Sequence, residues 1–186
     1  MIHLVFNRPM EKLKIFDEGG ALADVFEASG DAWGDGVSGP YGFEFPIPPG
    51  HYLLTCVQSI SPPLTSEGAG QIPVVDIDQQ TLDKLTDAGK ASGPPDAVTI
   101  GGFTLATGAL STNKRDGVMI HGGGSNLLKL DPPQDPLAPM QELCKTYGCT
   151  RMHNANLATL MAFLAPRFAN ETVVFSAIGD PAPLQL

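Results

Sequence analysis

In the stretch KTYGCTRMHN, Lys145 to Asn154, a cysteine directly follows a glycine and an arginine stands two places on. A thiol attacks as its thiolate, so Cys149 needs a base or a positive charge nearby. Gly148 permits backbone turns that other residues avoid, and it removes bulk where a substrate must approach. Arg151, together with a helix start a few residues on, brings positive potential to the thiol. Its planar fork also suits a carboxylate. The plainer alternatives are a small buried hydrophobe for Cys149 and a surface arginine or structural ion pair for Arg151.

His121 is the natural base. It ends the apolar run GVMIH and opens a triple-glycine loop, HGGGS. A rigid strand that opens into a glycine loop is a common place for working residues. His3, inside a strand, His51, after a turn, and His153, close to Cys149, are the competing bases. HGGGS also has the form of an esterase oxyanion loop, but no G-x-S-x-G elbow follows. No G-K-[ST] follows either, so it is no phosphate loop. Cys144, Cys149 and His153, with His121, would make a Cys2His2 metal set. The chain has no C-x2-C pair, and a helix over Cys144 would carry it away from the others, so no metal is assigned.

These residues need a scaffold. The 186 residues suit a single domain, 1–186, with a core that needs no disulfide. Hydrophobic residues make up 42% and charged residues 17%, the balance of a soluble globular chain. Twenty-one glycines and 17 prolines imply many turns, hence a mainly β, β-rich α+β fold. The net charge of −9 argues against nucleic acid, which demands a basic surface, and against an anionic membrane. No apolar run reaches the length of a membrane span, about 18 residues. MIHLVFNRPM has neither a basic n-region nor a long apolar stretch, so no Sec signal peptide is read there. The odd count of three cysteines, Cys56, Cys144 and Cys149, is no disulfide framework.

Ile2, Leu4 and Phe6 alternate with His3 and Val5, which predicts a strand with one buried face. KLKIF and ALADVFEAS flank a Gly19-Gly20 hairpin turn. DAWGDGVSGPYG is loop, GHYLLTCVQSI β-rich, SPPLTSEGAG loop and IPVVDI a strand. DQQTLDKLTDAG predicts a short helix stopped by Gly89. AVTI, FTLAT, GVMIH and TVVFSAI are further strands, and the tail DPAPLQL frays. Leu137, Met140 and Cys144 fall on one face of a helix that follows a proline-rich insert. NANLATLMAFLAP carries the stripe of a core-facing helix, capped by Asn154 or Asn156 and ended by Pro166.

In this order the features resemble the L,D-transpeptidase catalytic domain, the YkuD-like family. MIHGGG matches the family's His-Gly strand end, and TYGCTRM its Ser-His-Gly-Cys-x-Arg/Asn signature. PIPPGHYLL stands where the family has Pro-x-Gly-x-Tyr, and the final helix and strand match its ending. The resemblance implies a β-sandwich or barrel with two or three short helices. It implies a cysteine acyltransferase acting on peptidoglycan tetrapeptide stems, by transpeptidation, D-amino acid exchange or L,D-carboxypeptidation. Cys149 would form the thioester, His121 would take the proton, and the Gly122 carbonyl would orient the imidazole. Backbone around Tyr147, Gly148 and Cys149 would hold the oxyanion, with Thr146 and Arg151 beside the substrate. No cofactor is implied, and protein partners stay open. Action in the periplasm or cell wall follows, reached by another export route or after loss of a leader.

Three departures qualify the match. Tyr147 stands where the family has a second histidine and cannot act as a base near neutral pH. Thr146 replaces a serine. LDPPQDPLAPMQELCK lengthens the gap after His121 and forms a lid or wall beside the cleft. The alternatives are a non-catalytic wall- or partner-binding module, a wall-targeting toxin effector, and a thiol peptidase or amidase of another specificity.

Overall fold

The computed structural model describes residues 1–31, 46–108, 117–146 and 148–179. All of the DAWGDGVSGPYG loop except Asp31, the tail DPAPLQL and Tyr147 lie outside the described residues.

The first three strands, β1 (Ile2–Asn7), β2 (Lys12–Phe16) and β3 (Leu22–Ser29), form an antiparallel meander. β4 (Gly50–Leu54), β5 (Gln58–Leu64) and β6 (Gly68–Asp76) follow. SPPL of the expected loop is in fact the end of β5, and β6 begins four residues later. α1 (Gln79–Asp87) is capped by Asp78, whose side chain accepts from Thr81 N at 2.7 Å, and it buries Leu82 and Leu85. Three short strands, β7 (Ala91–Ser92), β8 (Val98–Ile100) and β9 (Phe103–Leu105), make a separate sheet. β10 (Met119–His121), a 3₁₀ turn (Ser125–Lys129), β11 (Thr150–Met152), α2 (Asn154–Leu164) and β12 (Val173–Ile178) complete the order.

The main sheet runs β10-β11-β3-β2-β1-β12-β4-β6, and β6 pairs again with β10. Eight strands therefore close into a barrel, which leaves no open edge in the ring. β5 lies on β6 outside the ring. Among the described strands, β1 pairs with β12 and β10 with β11 in parallel. The protein is thus mainly β, with two α-helices among the described residues.

Two cores result. One joins Ile2, Leu4, Phe6, Ile72, Ile120, Met152 and Phe175 with Leu157, Leu160 and Leu164 of α2. The other lies on the opposite face of β4 and β12, where the cross-strand pair Leu53 and Val174 meets Leu82, Leu85, Val98 and Ile100. This second layer corrects the expectation of one buried face for β1. His3 and Val5 are buried as fully as their neighbours; Phe103 and Gly101 of the small sheet and its turn lie against His3.

The helix expected over Leu137, Met140 and Cys144 does not form. Pro136 and Pro139 interrupt it, and its backbone groups bond elsewhere. Asn154 Nδ2 donates to Pro136 O at 2.9 Å and Ala138 O at 2.7 Å, and Ala155 N donates to Pro139 O at 2.9 Å. Met140 is left 58% exposed, whereas Gln141, one residue on, is buried. Gln141 Nε2 donates to Met152 O at 3.0 Å, and its Oε1 accepts from Asn154 N at 3.0 Å. Neither Asn154 nor Asn156 caps α2; the cap position is His153, and the Asn154 side chain ties the insert to the glycine loop.

Removing the Gln141 amide strands the backbone groups it bonds, Met152 O, Gly123 O and Asn154 N, which costs about 1–3 kcal/mol. Gln141→Ala therefore lowers the urea unfolding free energy by that amount, while Met140→Ala changes it by less than about 0.5 kcal/mol.

Candidate active site

Strand alternation sets the site. Ile120 and Met152 point into the barrel core, so His121 and Arg151, one residue away on each strand, point outward. The parallel register pairs His121 with Arg151, and its antiparallel neighbour pairs Arg151 with Ser29. The loop that follows β10 and the segment before β11 fold over this outer face. His121 and Arg151 are consequently only 6% and 5% exposed although they lie outside the barrel.

A cleft of about 400 Å³ opens here. Cys149, His121, Arg151, Thr146, Glu67 and Ser125 are among its walls. Of the four histidines, His121 alone lines it. His153 faces Glu27 at 3.3 Å, and His3 and His51 meet at Ser176 elsewhere in the molecule. The structure thus brings Cys149, His121, Thr146 and Arg151 to one cleft. Lys145, the last residue of the insert, lines the same cleft, as do Ser125 and Asn126 of the turn that precedes the insert.

His121 Nδ1 lies 2.7 Å from Gly122 O. A carbonyl only accepts, so Nδ1 carries the proton and Nε2 of the neutral ring is left as an acceptor. The His121 pKa is pushed down to about 4, first by burial and then by the Arg151 charge. The Gly122 carbonyl, Glu67 and the Ser66 backbone oppose this without cancelling it. At neutral pH the imidazole is therefore uncharged and able to accept a proton.

The thiol of Cys149 is partly exposed, and Sγ donates to Gly117 O at 3.6 Å. Gly148 sits at φ +104°, a conformation that favours glycine. Its N–H donates to Thr146 Oγ1 at 3.2 Å, and that hydroxyl donates to Cys149 O at 2.8 Å. Thr146 thus braces the backbone on both sides of Gly148. It also takes up the Gly148 amide expected to serve an oxyanion.

Arg151 is no surface residue. Burial lowers its pKa, while Cys144 and Cys149 raise it through their charges. Nη1 donates to Cys144 Sγ at 2.5 Å, and Nε is buried without a hydrogen-bond partner among the described residues. Cys144 is therefore drawn to the site rather than carried off by a helix. Gly124 makes room for this contact, since a Cβ there would lie 2.3 Å from Arg151 Nη1 and 3.2 Å from Cys144 Sγ. Glu67, Cys144 and Asn154 were missed as site residues, because no local motif marks them. Among the described residues no group of three or more His, Cys, Asp or Glu side chains is placed to hold a metal ion. No helix among them is long and apolar enough to cross a membrane.

No family model and no curated protein matches the chain. Among solved structures, Bd1075 of Bdellovibrio bacteriovorus matches 97% of this chain at 14% identity and a TM-score of 0.51. That likeness gives the fold, and the chain spans about half of Bd1075, 48%. The helical cell shape determining protein Pgp2 of Campylobacter jejuni matches 95% of this chain and 46% of its own, at 16% identity and a TM-score of 0.49. An L,D-transpeptidase of Xylanimonas cellulosilytica matches 95% of this chain and 60% of its own, at 13% identity and a TM-score of 0.46.

Two outcomes follow from the electrostatics. His121 and His3 both have folded pKa values near 4, below the ordinary 6.5, and that of His51 is also lowered. The unfolded chain therefore binds more protons between pH 6.5 and 4, so stability is full above that window and falls as pH drops through it. Thermal midpoints measured from pH 8 to 4 decline below pH 6.5. Separately, Arg151→Gln removes the cation beside the thiol and slows iodoacetamide alkylation of Cys149 at pH 7.

Proposed function

We propose that the chain is an L,D-transpeptidase-like catalytic domain that acylates Cys149 with peptidoglycan tetrapeptide stems. The observation that carries this reading is one cleft lined by a partly exposed thiol, a buried neutral imidazole and a buried guanidinium. The motifs MIHGGG and TYGCTRM resemble those of the same family and support it.

In this reading His121 Nε2 takes the Cys149 proton while Gly122 O holds the ring by Nδ1–H. Sulfur attacks the carbonyl that joins the diamino acid at stem position three to the terminal D-residue. The C–N bond breaks, His121 returns the proton to the departing amine, and a thioester remains. An amine acceptor then gives a crosslink or an exchanged D-amino acid, and water gives a shortened stem. The family resemblance gives the oxyanion role to backbone N–H groups around Tyr147, Gly148 and Cys149; of these the Gly148 amide also donates to Thr146. Arg151 offers positive charge to the thiolate and to a stem carboxylate. Peptidoglycan is the partner, and the periplasm or cell wall the place of action.

A second reading, a wall-binding module without turnover, is favoured by Tyr147 in place of a histidine and by the engaged Gly148 amide. Purified tetrapeptide-stem muropeptides separate the two. On the first reading, mass spectrometry finds a thioester on Cys149, Cys149→Ala abolishes turnover, and His121→Gln lowers kcat by about 100- to 10,000-fold. Turnover that survives Cys149→Ala overturns the first reading. Binding to sacculi with no acyl-enzyme and no product supports the second. Adding a D-amino acid and analysing products tells exchange from hydrolysis.

A further inference from the structure

A second polar cluster lies on the outer face of β1, β12 and β4, under the small sheet. Its hydrogen bonds have one consistent direction. His51 Nε2 lies 3.0 Å from Val98 O and 3.1 Å from Phe103 O. Carbonyls only accept, so the His51 proton is on Nε2 and its Nδ1 is a bare acceptor. Ser176 Oγ, 2.6 Å from that Nδ1, must donate its single proton there. Toward His3 Nε2, at 2.7 Å, the same oxygen can then only accept. His3 therefore carries its proton on Nε2, and His3 Nδ1 is an acceptor.

This chain holds for neutral rings. Burial lowers both histidines, and His3, pushed down further by the His51 charge, reaches about 4. Ser176 is fully buried, so it is no accessible nucleophile despite its two imidazoles.

His3 Nδ1 has no hydrogen-bond partner among the described residues. The side chain is 97% buried, with 3% exposed, yet it lines a cleft of about 290 Å³. Gly101 keeps that nitrogen open, since a Cβ there would lie 2.3 Å from it. The cleft shares no residue with the one around Cys149. Asp17, Glu18 and Lys90 give it charges of both signs, and Phe16 an apolar wall. Glu18 is engaged by Arg167 at 3.2 Å. Asp17 Oδ1 accepts from Gly19 N and Ala21 N, which fixes the carboxylate while its negative charge remains. The volume sits at the lower end for small-molecule sites, roughly 300 to 1,000 Å³, so the ligand is small.

We propose that this cleft binds a small zwitterion, a free α-amino acid being the simplest, with its ammonium donating to His3 Nδ1 beside Asp17 and its carboxylate facing Lys90. A neutral acceptor and a carboxylate suit an ammonium. The lysine rewards a ligand that also carries a negative end and disfavours a simple amine. The site is independent of the acyl-transfer reading.

The test uses the whole chain with ¹⁵N-labelled histidine rings, titrated with glycine to about 50 mM, a range that reaches millimolar Kd values. The expected result is a saturable shift of the His3 ring nitrogens while the His121 ring stays still. Asp17→Asn and Lys90→Ala, both outside the buried network, each raise Kd by about fivefold or more, near 1 kcal/mol. Methylammonium and acetate, given singly, bind more weakly than glycine. The proposal is overturned by an unmoved His3 ring, by a shift that neither variant weakens, or by equal binding of methylammonium or acetate.

Discussion

The parallel pairing of β10 with β11 is the constraint on which the candidate site depends. Each strand is only three residues long and two of them pair, but the register puts Arg151 directly beside His121. The two-residue period of a strand then decides which side faces what. Ile120 and Met152 fill the barrel, and the polar pair is turned away from it. A slip of one residue would push a guanidinium and an imidazole into the apolar core. The barrel holds the register, since β10 is also bound by β6 and β11 by β3.

Outward-facing polar groups would ordinarily be solvated. Here an irregular cover takes their place, and it is kept in position by amides. Asn154 accepts from Gly123 N and donates to the carbonyls of Pro136 and Ala138. Gln141 bridges Met152 and Asn154. Two side chains thus do for this segment what a helix does with its own backbone. The cover dries the imidazole enough to keep it neutral, and it brings Cys144 against Arg151.

Strands were legible wherever alternation or a glycine turn marked them, as in KLKIF, GHYLL and TVVFSAI. The second layer over β1 was not, because burial of both faces removes the alternation from which burial is read. β11 is three residues long, too short for a period to appear. The insert misled through its spacing: Leu137, Met140 and Cys144 have helical intervals, yet prolines and tertiary amide bonds decide the backbone. Within the candidate site, Cys149 and His121 stood out because their types are chemically specific. Glu67, Cys144 and Asn154 reach the cleft or its frame through long-range folding, which no local pattern records.

β12 occupies a place in the ring that has consequences for how the chain comes together. It lies between β1, the first strand, and β4, and its two faces belong to different cores. Until residues 173–178 arrive, β1 and β4 each present an unpaired edge and an uncovered greasy surface. Closure must therefore wait for contacts of high sequence separation, which is slow and exposes sticky intermediates. A nascent chain lacking that strand is an open trough, and a chaperone or a neighbouring copy would find its seam before the barrel could seal itself.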